Sequence, residues 1–347
     1  MRAVVARGRV LTVEDVPEPE PGPGEVLVRV LACGICGSDL HAVQYAGDGA
    51  TPGVGPLAGA NAGRPVIMGH EFCAEIVGFG PDTARTLPVG QRVTSQPVLM
   101  RAGRPVSLAY GGELPGGYAE YMVLSESMLV PVPAHVATEH AALTEPLAVG
   151  AHAVARSSVR DGDLPLVIGC GPVGLAVIAA LRLRGHDRIV AADLSPKRRA
   201  IALEMGASLA VDPREQPAFA AWRALAGERP AMVYECVGRP GMIDGLIAEA
   251  PRDSRILVAG VCMEPDTFHP LAAIGKEINL QFVLAYTQEE FAASLAAIAE
   301  ERIDVAPMIT GRVGLDGVAA AFAELAGPEA HAKVLVLPSP AKAPTAG

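Results

Sequence analysis

Two short fragments of the chain hold side chains that can bind a metal ion. Residues 36–41 read Cys-Gly-Ser-Asp-Leu-His, and residues 69–71 read Gly-His-Glu. A cysteine thiolate, a neutral histidine and a glutamate carboxylate are all ligands that zinc takes in proteins. Cys36 and His70 are too far apart in the sequence for a zinc finger, so tertiary folding must bring them together. The first prediction is therefore a zinc site that includes Cys36 and His70.

The same fragments carry groups that could support such a site and move protons. Asp39 is suited to accept a hydrogen bond from the second ring nitrogen of His70 and so fix its tautomer. Ser38 and His41 follow Cys36 closely, and a hydroxyl near an imidazole can pass a proton. An isolated serine or histidine is more often a helix cap or a satisfied polar group, and these residues alone leave both interpretations open.

A glycine-rich turn between an apolar strand and a helix predicts a dinucleotide site. Gly169 permits the tight turn, Gly171 lets the backbone approach a pyrophosphate, and Gly174 lets the helix pack close to the sheet. The amides at the amino terminus of that helix then face the phosphates. The residues expected at the cofactor are Gly169, Gly171, Pro172, Val173 and Gly174.

An acidic residue at the end of the next apolar run supports this prediction. Asp193 lies 19 residues after Gly174. A carboxylate there accepts hydrogen bonds from the ribose hydroxyls and repels a 2′-phosphate, which favours NAD over NADP. Lys197 and Arg198 lie just beyond and keep NADP open, and Arg198 is counted with the cofactor-binding residues. A glycine turn alone can be a close helix–strand contact without a ligand, but here strand, glycines, helix, strand and acid follow in the dinucleotide-binding order.

The chain is long enough for two domains, and its patterning changes between them. It has 347 residues, of which 50% are hydrophobic and 19% charged, so large apolar cores can form. Residues 1–150 read as short strands broken by Gly and Pro, which is typical of an irregular all-β domain. From Leu164 onward, short apolar runs alternate with helix-like segments, which predicts a parallel sheet covered on both faces. The predicted fold class is α/β.

These fragments resemble the zinc-dependent medium-chain dehydrogenases, in the branch that holds the butanediol, sorbitol and threonine dehydrogenases. The motifs occur in the family's order and span nearly the whole chain; they are residues 36–41, Gly69–Glu71, Gly116–Tyr121, Glu145–Leu147 and Gly169–Gly174 with Asp193. The resemblance implies a GroES-like, β-rich catalytic domain at residues 1–150 and 287–347. It implies a Rossmann domain with a doubly wound parallel sheet at residues 151–286.

The resemblance also implies a set of zinc ligands. Cys36 and His70 match two catalytic ligands, and the third is Glu145 or Glu71. In some polyol enzymes the equivalent of Glu71 ligates zinc while the equivalent of Glu145 holds the bound water, and the sequence does not choose between them. The implied cofactors are zinc and NAD.

The implied reaction is a reversible hydride transfer between NAD and a secondary alcohol, diol or polyol, so the partners are small alcohols and ketones. Ser38 and His41 match the family's proton relay. One alternative is a zinc-free relative of the quinone-reductase type, against which the joint presence of Cys36, His70 and Glu145 speaks. Another is a non-enzymatic NAD-binding protein, against which the retained relay speaks.

Two segments of the chain depart from the family pattern, and the role of one lysine is undecided. Many members hold a structural zinc with four closely spaced cysteines, but the corresponding segment, Gln91–Gly117, has none, so one catalytic zinc per subunit is expected. The loop Ala46–Pro65 is longer than expected and either shapes the pocket or is a tolerated insertion. Lys333, in the last predicted strand, either reaches the cofactor pyrophosphate or is solvated.

Composition and sequence pattern limit the kinds of binding partner and the cellular compartment that are expected. The net charge of −10 argues against nucleic acid, which needs a basic face. The apolar stretch Leu164–Leu181 is interrupted by glycine and proline, so it is interpreted as a buried strand and helix and not as a membrane span. The start of the chain lacks the pattern of a signal peptide, and the cysteines are scattered, so a cytoplasmic location is expected. By resemblance the protein is a homodimer or homotetramer.

Overall fold

The computed structural model describes residues 1–46, 64–101, 103–110, 114–327 and 331–338. The loop predicted over residues 46–65 lies, from residue 47 to residue 63, outside the described residues. The chain divides into two compact units. The first comprises Met1–Glu145, Ile309–Ala326 and Lys333–Gly347, and the second comprises Pro146–Met308 and Gly327–Ala332.

The described strands and helices follow the alternation expected from the sequence. The strands are β1 (Arg2–Arg7), β2 (Val10–Asp15), β3 (Glu25–Gly34), β4 (Glu71–Phe79), β5 (Arg92–Ser95), β6 (Val98–Arg101), β7 (Arg104–Ser107), β8 (Tyr121–Ser125), β9 (Leu129–Pro131), β10 (Pro165–Ile168), β11 (Val190–Ala192), β12 (Leu209–Val211), β13 (Met232–Glu235), β14 (Arg255–Val258), β15 (Asn279–Phe282), β16 (Ile309–Val313) and β17 (Lys333–Val336). The α-helices are α1 (Gly37–Gln44), α2 (Thr138–Ala141), α3 (Thr144–Arg156), α4 (Pro172–Leu183), α5 (Pro196–Glu204), α6 (Ala218–Ala226), α7 (Met242–Glu249), α8 (Pro270–Lys276), α9 (Gln288–Ala299) and α10 (Val318–Leu325).

Strand β3 is central to the main sheet of the first unit. The strand order is β16-β17-β3-β4-β5-β9, and β8 pairs with the first half of β3. Alternate residues of β3 are apolar and fully buried, as expected for a strand with one face on a core; they are Val26, Val28, Val30 and Ala32.

The register of β3 and β4 explains how distant residues meet. Gly34, at the end of β3, pairs with Glu71 at the start of the antiparallel β4 and with Leu335 of β17. Cys36 comes just after β3, and His70 comes just before β4. Because the end of one strand lies opposite the start of the other, Cys36 and His70 reach the same edge of the sheet. We call this edge, from Gly34 to Cys36 with His70 and Glu71, the β3–β4 corner.

The second unit contains a six-stranded sheet in which every pair of neighbours is parallel, in the order β12-β11-β10-β13-β14-β15. This is the doubly wound order in which the third, second and first strands precede the fourth, fifth and sixth. Strands β10 and β13 are buried at every residue, which explains the apolar sequence of β10 and of β13 up to Tyr234, although β13 ends in the buried Glu235. Their carboxyl ends bring the glycine turn after β10 next to the segment after β13.

Helix α9 lies in the second unit, although residues 287–347 were expected to belong to the β-rich domain. Thr287 and Glu290 form a capping box at its start. An Oε2 atom of Glu290 also lies 2.8 Å from Nδ1 of His152 on α3. The chain therefore stays with the second unit up to Met308, because side chains of α9 are held by a helix of that unit.

The uncharged stretch Leu164–Leu181 begins one residue before strand β10 and comprises that strand, the glycine turn and most of α4. In the part of the chain that the structure describes, no helix combines the length and apolar character needed to cross a membrane.

Candidate functional site

Three possible metal ligands meet at the β3–β4 corner. Sγ of Cys36, a ring nitrogen of His70 and a carboxylate oxygen of Glu71 all lie within 4.8 Å of one another. His70 and Glu71 are buried, while Cys36 is partly exposed. Gly69 permits this approach, since its φ is +99° and a Cβ there would lie 2.7 Å from the ring of Tyr118.

The buried carboxylate of Asp39 supports this cluster. It accepts hydrogen bonds from the hydroxyl of Tyr118 at 2.6 Å and from the hydroxyl of Tyr110 at 2.9 Å. It also accepts from the backbone N–H of Cys36 at 3.0 Å, and it lies 3.5 Å from Nδ1 of His70. Burial alone would raise the pKa of Asp39, but the charge of His70 and these hydrogen bonds hold it below its usual value. Asp39 is thus a carboxylate next to His70, where the sequence suggested it.

The charges of the corner also act on His70. Burial alone would lower the pKa of His70, but the negative charges of Asp39 and Cys36 raise it well above its ordinary value. With Nδ1 directed at the Asp39 and Tyr110 oxygens, Nε2 is the nitrogen left for a metal ion, which would displace the proton that the raised pKa keeps on the ring. A thiolate, an imidazole and a carboxylate are ligands that zinc takes in proteins, so the donor set of Cys36, His70 and Glu71 fits zinc.

Tyr110 is a member of the site that sequence reasoning missed. Its hydroxyl lies 2.8 Å from Oγ of Ser38 and 3.1 Å from Nδ1 of His70. Burial and the negative charge of Asp39 raise the pKa of Tyr110 well above its usual value, so the group is a neutral hydroxyl. Tyr110 follows strand β7 and belongs to no motif. No sequence signal links it to Ser38, which is 72 residues away.

His41 lies on α1 with Ser38 and is partly buried. Its Nδ1 atom is buried and has no hydrogen-bond partner among the described residues. Burial lowers the pKa of His41 below its ordinary value of 6.5, so the ring is neutral near neutral pH. A buried nitrogen without a partner costs free energy, which is expected where the group serves a ligand or a proton.

The two acidic candidates for the third ligand differ in placement. Glu145 is buried in the first turn of α3, and within the described residues its carboxylate does not join the ligand group. Glu71 does join it, but both of its oxygens lie 2.6 Å from Nζ of Lys333.

Lys333 is fully buried, so the interpretation of a solvated lysine is wrong. Its Nζ also donates to the carbonyl of Ile35 at 3.0 Å. Burial alone would lower the pKa of Lys333, but the charge of Glu71 raises it, so the lysine is a cation at the ligand cluster. Lys333 therefore neutralises Glu71 and competes with a metal for its oxygens.

The glycine turn has the geometry of a dinucleotide site. Gly169 has a φ of +90°, and a Cβ on Gly174 would lie 1.8 Å from the carbonyl oxygen of Gly169. Gly171 is the N-cap of α4 and a Cβ there would meet no atom within 4 Å. Pro172 and Val173 begin α4, whose first amides have no intrahelical partners.

Two charged residues close to this turn are engaged with the backbone. Asp193 accepts from the N–H of Cys170 at 2.7 Å and from the N–H of Ser195 at 2.8 Å, which ties the glycine turn to the end of β11. The guanidinium of Arg198 donates from Nε and Nη2 to the carbonyl of His331, at 3.2 and 3.0 Å.

The second unit has a doubly wound parallel sheet with this turn, and the β-rich unit has a cluster of thiolate, imidazole and carboxylate. Together they define a class of oxidoreductases that depend on a dinucleotide and a metal. Residues 22–134 match the family model of the alcohol dehydrogenase GroES-like domain, and residues 172–300 match that of the zinc-binding dehydrogenase domain.

Comparison with characterised proteins places the chain within this class. It is 31% identical over 342 residues to (R,R)-butanediol dehydrogenase of Bacillus subtilis, an alignment that covers 95% of this chain and 97% of that enzyme. It is 29% identical over 337 residues to sorbitol dehydrogenase of Gallus gallus, with 93% and 92% covered. The chain belongs to the zinc-dependent medium-chain dehydrogenase family.

Solved structures agree with this assignment. The crystal structure of 2R,3R-butanediol dehydrogenase from B. subtilis has a TM-score of 0.83 and 30% identity, covering 97% of this chain and 99% of that one. A Sinorhizobium meliloti structure described as a zinc-binding dehydrogenase bound to NADP has a TM-score of 0.81 and 26% identity, covering 97% and 99%. The predicted combination of a GroES-like domain and a Rossmann sheet is confirmed. The protein is an oxidoreductase of a family that uses zinc and a nicotinamide cofactor.

Gly171→Ala and Gly174→Ala form a matched pair that tests the turn. Gly174→Ala should lower the free energy of unfolding by about 3 kcal/mol, because the new Cβ overlaps the backbone. Gly171→Ala should cost about 1 kcal/mol or less, the usual effect at an N-cap, but weaken NADH binding. Urea unfolding followed by circular dichroism and NADH titration by calorimetry measure the two effects. Wild-type affinity in Gly171→Ala would contradict a pyrophosphate at this turn.

Proposed function

We propose that the protein is an NAD-dependent zinc dehydrogenase that interconverts a secondary alcohol, diol or polyol and its ketone. The observation that carries this proposal is the cluster of Cys36, His70 and Glu71, with donor atoms within 4.8 Å of one another. Ser38 lies one hydrogen bond from the Tyr110 hydroxyl that also contacts His70. Metal ligands and a hydroxyl therefore share one network at the β3–β4 corner.

The substrate class is proposed from the relatives. Their names give butanediol and sorbitol as substrates, and both compounds carry a secondary hydroxyl group beside another hydroxyl. A diol or polyol of this kind is the proposed substrate here, and the product is the matching hydroxyketone.

In the proposed mechanism Cys36, His70 and Glu71 hold the zinc. When bound, zinc supplies a Lewis acid and the nicotinamide supplies a hydride acceptor. The hydroxyl of Ser38 would accept the proton of the substrate alcohol and release its own proton toward the imidazole of His41, which would pass a proton on to water. The neutral state and the unpartnered Nδ1 of His41 support its role as the acceptor.

We propose Glu71 as the third ligand and Glu145 as the residue that holds a water molecule beside the metal. Glu71 lies in the ligand cluster, and Lys333 limits the negative charge that the cluster must carry. Asp39 acts as the acceptor that orients His70. Because the chain has no cysteine between residues 91 and 117, the proposed content is one zinc per chain.

NAD is the proposed cofactor. Asp193 directly follows β11, and its carboxylate would accept hydrogen bonds from a ribose with free hydroxyls and repel a 2′-phosphate. Arg198 donates to the carbonyl of His331, which leaves it less available for a phosphate. A zinc-binding dehydrogenase with NADP bound is among the similar structures, so NADP is the competitor that the experiment below includes.

The two alternative functions are less well supported. A zinc-free quinone-reductase type does not need three potential zinc ligands side by side. A non-enzymatic NAD-binding protein does not need the polar network from Ser38 to His70. The proposed location is the cytoplasm.

A homodimer is the proposed assembly. Three apolar side chains of consecutive elements are exposed, Leu271 and Ile274 of α8 and Phe282 of β15, with exposed fractions of 80, 69 and 63%. Among the described strands, β15 pairs only with β14, so it is a sheet edge with free hydrogen-bonding groups. A second copy related by a twofold axis would meet this edge with the same edge of its own and bury the same apolar side chains.

The purified protein should contain zinc and oxidise vicinal diols with NAD in preference to NADP, and chelation should abolish the activity. Glu145→Gln should lower kcat/KM by about 10-fold or more while zinc content stays unchanged, as for a residue next to the ligands. Glu71→Gln should lower zinc content. Metal analysis with initial rates on a panel of diols, polyols and aromatic alcohols measures both.

Each outcome discriminates among the assignments. Loss of zinc in Glu145→Gln, with retention in Glu71→Gln, would exchange the two roles. Full zinc loading without activity on any alcohol would favour the non-enzymatic alternative. Activity without bound zinc would favour the quinone-reductase type.

Alcohol oxidation should slow in acid. Because burial lowers the pKa of His41, the ring accepts a proton above that pKa and is already protonated below it. The rate should therefore hold down to a pH below the ordinary histidine pKa and fall only in more acidic solution. His41→Gln should lose this acid-side fall and about 10-fold in rate. Initial rates across the acid range, compared with those of His152→Gln as a control, measure it. An unchanged acid-side fall in His41→Gln would exclude His41 from the relay.

Phe282→Arg should convert the dimer to a monomer, because a charge at the centre of an apolar interface is costly. Leu203→Arg is the control, since Leu203 is 48% exposed on α5, away from this edge. Sedimentation velocity reports the mass of each variant. A monomeric wild type, or a dimer that survives Phe282→Arg, would contradict the proposed interface.

A further inference from the structure

Arginine side chains surround the residue at which the adenosine ribose of a cofactor is expected. Helix α5 begins three residues after Asp193 and carries Arg198 and Arg199 in its first turn, and Arg214 follows strand β12. In folds of this kind an arginine near the end of the second strand accommodates the 2′-phosphate of NADP. The chain therefore places side chains suited to NADP next to the carboxylate that favours NAD.

A second aspartate lies beside Asp193, at the end of the neighbouring strand. Strands β11 and β12 are parallel, Ala192 pairs with Val211, and the N–H of Asp193 donates to the carbonyl of Val211 at 3.1 Å. Asp193 and Asp212 directly follow these paired residues. The two aspartates therefore stand at the same edge of the sheet, on adjacent strands.

Asp212 binds two of these arginines. Its Oδ2 atom accepts from Nη1 of Arg199 at 3.0 Å and from Nη2 of Arg214 at 2.5 Å. Its Oδ1 atom accepts from Nε of Arg214 at 2.9 Å, so the pair with Arg214 is bidentate. The side chain of Asp212 is only 4% exposed, so salt and water screen these contacts weakly.

The two arginines differ in what else holds them. Arg199 also donates to the carbonyls of Asp193 and Leu194, at 2.8 and 2.9 Å, and its side chain is 19% exposed. Arg214 donates to the same carbonyl of Leu194 at 2.9 Å, but its side chain is 60% exposed. Without Asp212, backbone carbonyls would still fix Arg199, whereas Arg214 would have room to turn toward an anion.

We infer that Asp212 is a specificity-determining residue that withholds Arg214 from the 2′-phosphate of NADP. Asp193 repels that phosphate directly, and Asp212 occupies the cation that would otherwise offset the repulsion. The inference rests on the proposed function, since it needs a dinucleotide whose ribose lies at the end of β11. It adds a second carboxylate, from a different strand, to the discrimination between NAD and NADP.

Asp212→Asn tests this role in a binding measurement that needs neither zinc nor an alcohol. The new amide keeps an acceptor for the N–H of Arg214, which Oδ1 of Asp212 accepts at 3.0 Å, but it no longer neutralises the guanidinium groups. The affinity for NADPH should rise by about 5- to 10-fold, because one negative charge near the phosphate is lost and Arg214 is released. The affinity for NADH, which lacks this phosphate, should change by less than about 2-fold.

Titration calorimetry with NADPH and NADH measures both affinities. The gain for NADPH should shrink at high salt, since it comes from a partly exposed charge pair. If Asp212→Asn does not fold, Asp212→Ser keeps a shorter acceptor for the same N–H, and the same change in the ratio of the two affinities is expected.

Two further variants show whether the released arginine is responsible. In an Arg214→Gln background, Asp212→Asn should lose most of its gain for NADPH, because the side chain that Asp212 withholds is gone. Asp187→Asn is the matched control. Asp187 also pairs with an arginine, Arg182, but it precedes β11, at the opposite end of that strand from Asp193, so the ratio of the two affinities should not change.

The outcomes separate this inference from the proposed function. An unchanged ratio of NADPH to NADH affinity in Asp212→Asn would overturn the inference, and so would a gain that persists in full without Arg214. A wild type that prefers NADPH, with a further gain in Asp212→Asn, would refute the proposed NAD preference and leave the role of Asp212 standing. A wild type that binds neither dinucleotide would refute both.

Discussion

A buried carboxylate organises the β3–β4 corner. Asp39 is fully buried, and an ionised carboxyl group in that position is stable only if its oxygens are satisfied by donors or by positive charge. Two tyrosine hydroxyls and the N–H of Cys36 supply donors, and His70 supplies a further polar contact. The Cys36 N–H belongs to the start of the same helix, but Tyr110, Tyr118 and His70 come from other parts of the chain. The need to satisfy one carboxylate therefore ties α1 to the segments that carry these three residues. Oδ2 accepts from both Tyr118 and the Cys36 N–H, whereas loss of the Tyr110 hydroxyl would leave Oδ1 with only the 3.5 Å contact to His70, which is costly for a buried carboxylate.

The glycine turn of the second unit is built from backbone geometry, whereas the ligand cluster of the first unit is built from side chains. Its glycine turn is shaped by the impossibility of a Cβ at Gly174 and by the positive φ of Gly169. Asp193 then accepts two backbone N–H groups and so joins the turn after β10 to the end of β11. A cofactor site made of amides is tolerant of side-chain variation, whereas a metal site made of side chains is not. This difference explains why the two halves are recognised by motifs of different kinds.

Much of this arrangement follows from the sequence because its signals are local. The alternation of apolar runs predicted the parallel sheet, and the glycines predicted the turn after β10. The side-chain types of Cys36 and His70 predicted a shared zinc site, and the family resemblance supported it, but how the two residues meet depends on the register of β3 and β4, which no local signal gives. Tyr110 could not be found, because a tyrosine in a loop carries no pattern until tertiary contacts place its hydroxyl. The unit to which α9 belongs also depends on tertiary contacts, so the periodicity of the sequence could not predict it.

The partner of Glu71 has a consequence for how the protein is made. Lys333 stands on β17, which pairs with β3, yet the whole second unit separates these strands in the sequence. Until Lys333 arrives, Glu71 is a carboxylate without its cation, and burying it would be unfavourable. The ion pair between Glu71 and Lys333 can form only after the residues between them have been synthesised. It is then made by a strand late in the sequence that returns to one of the earliest.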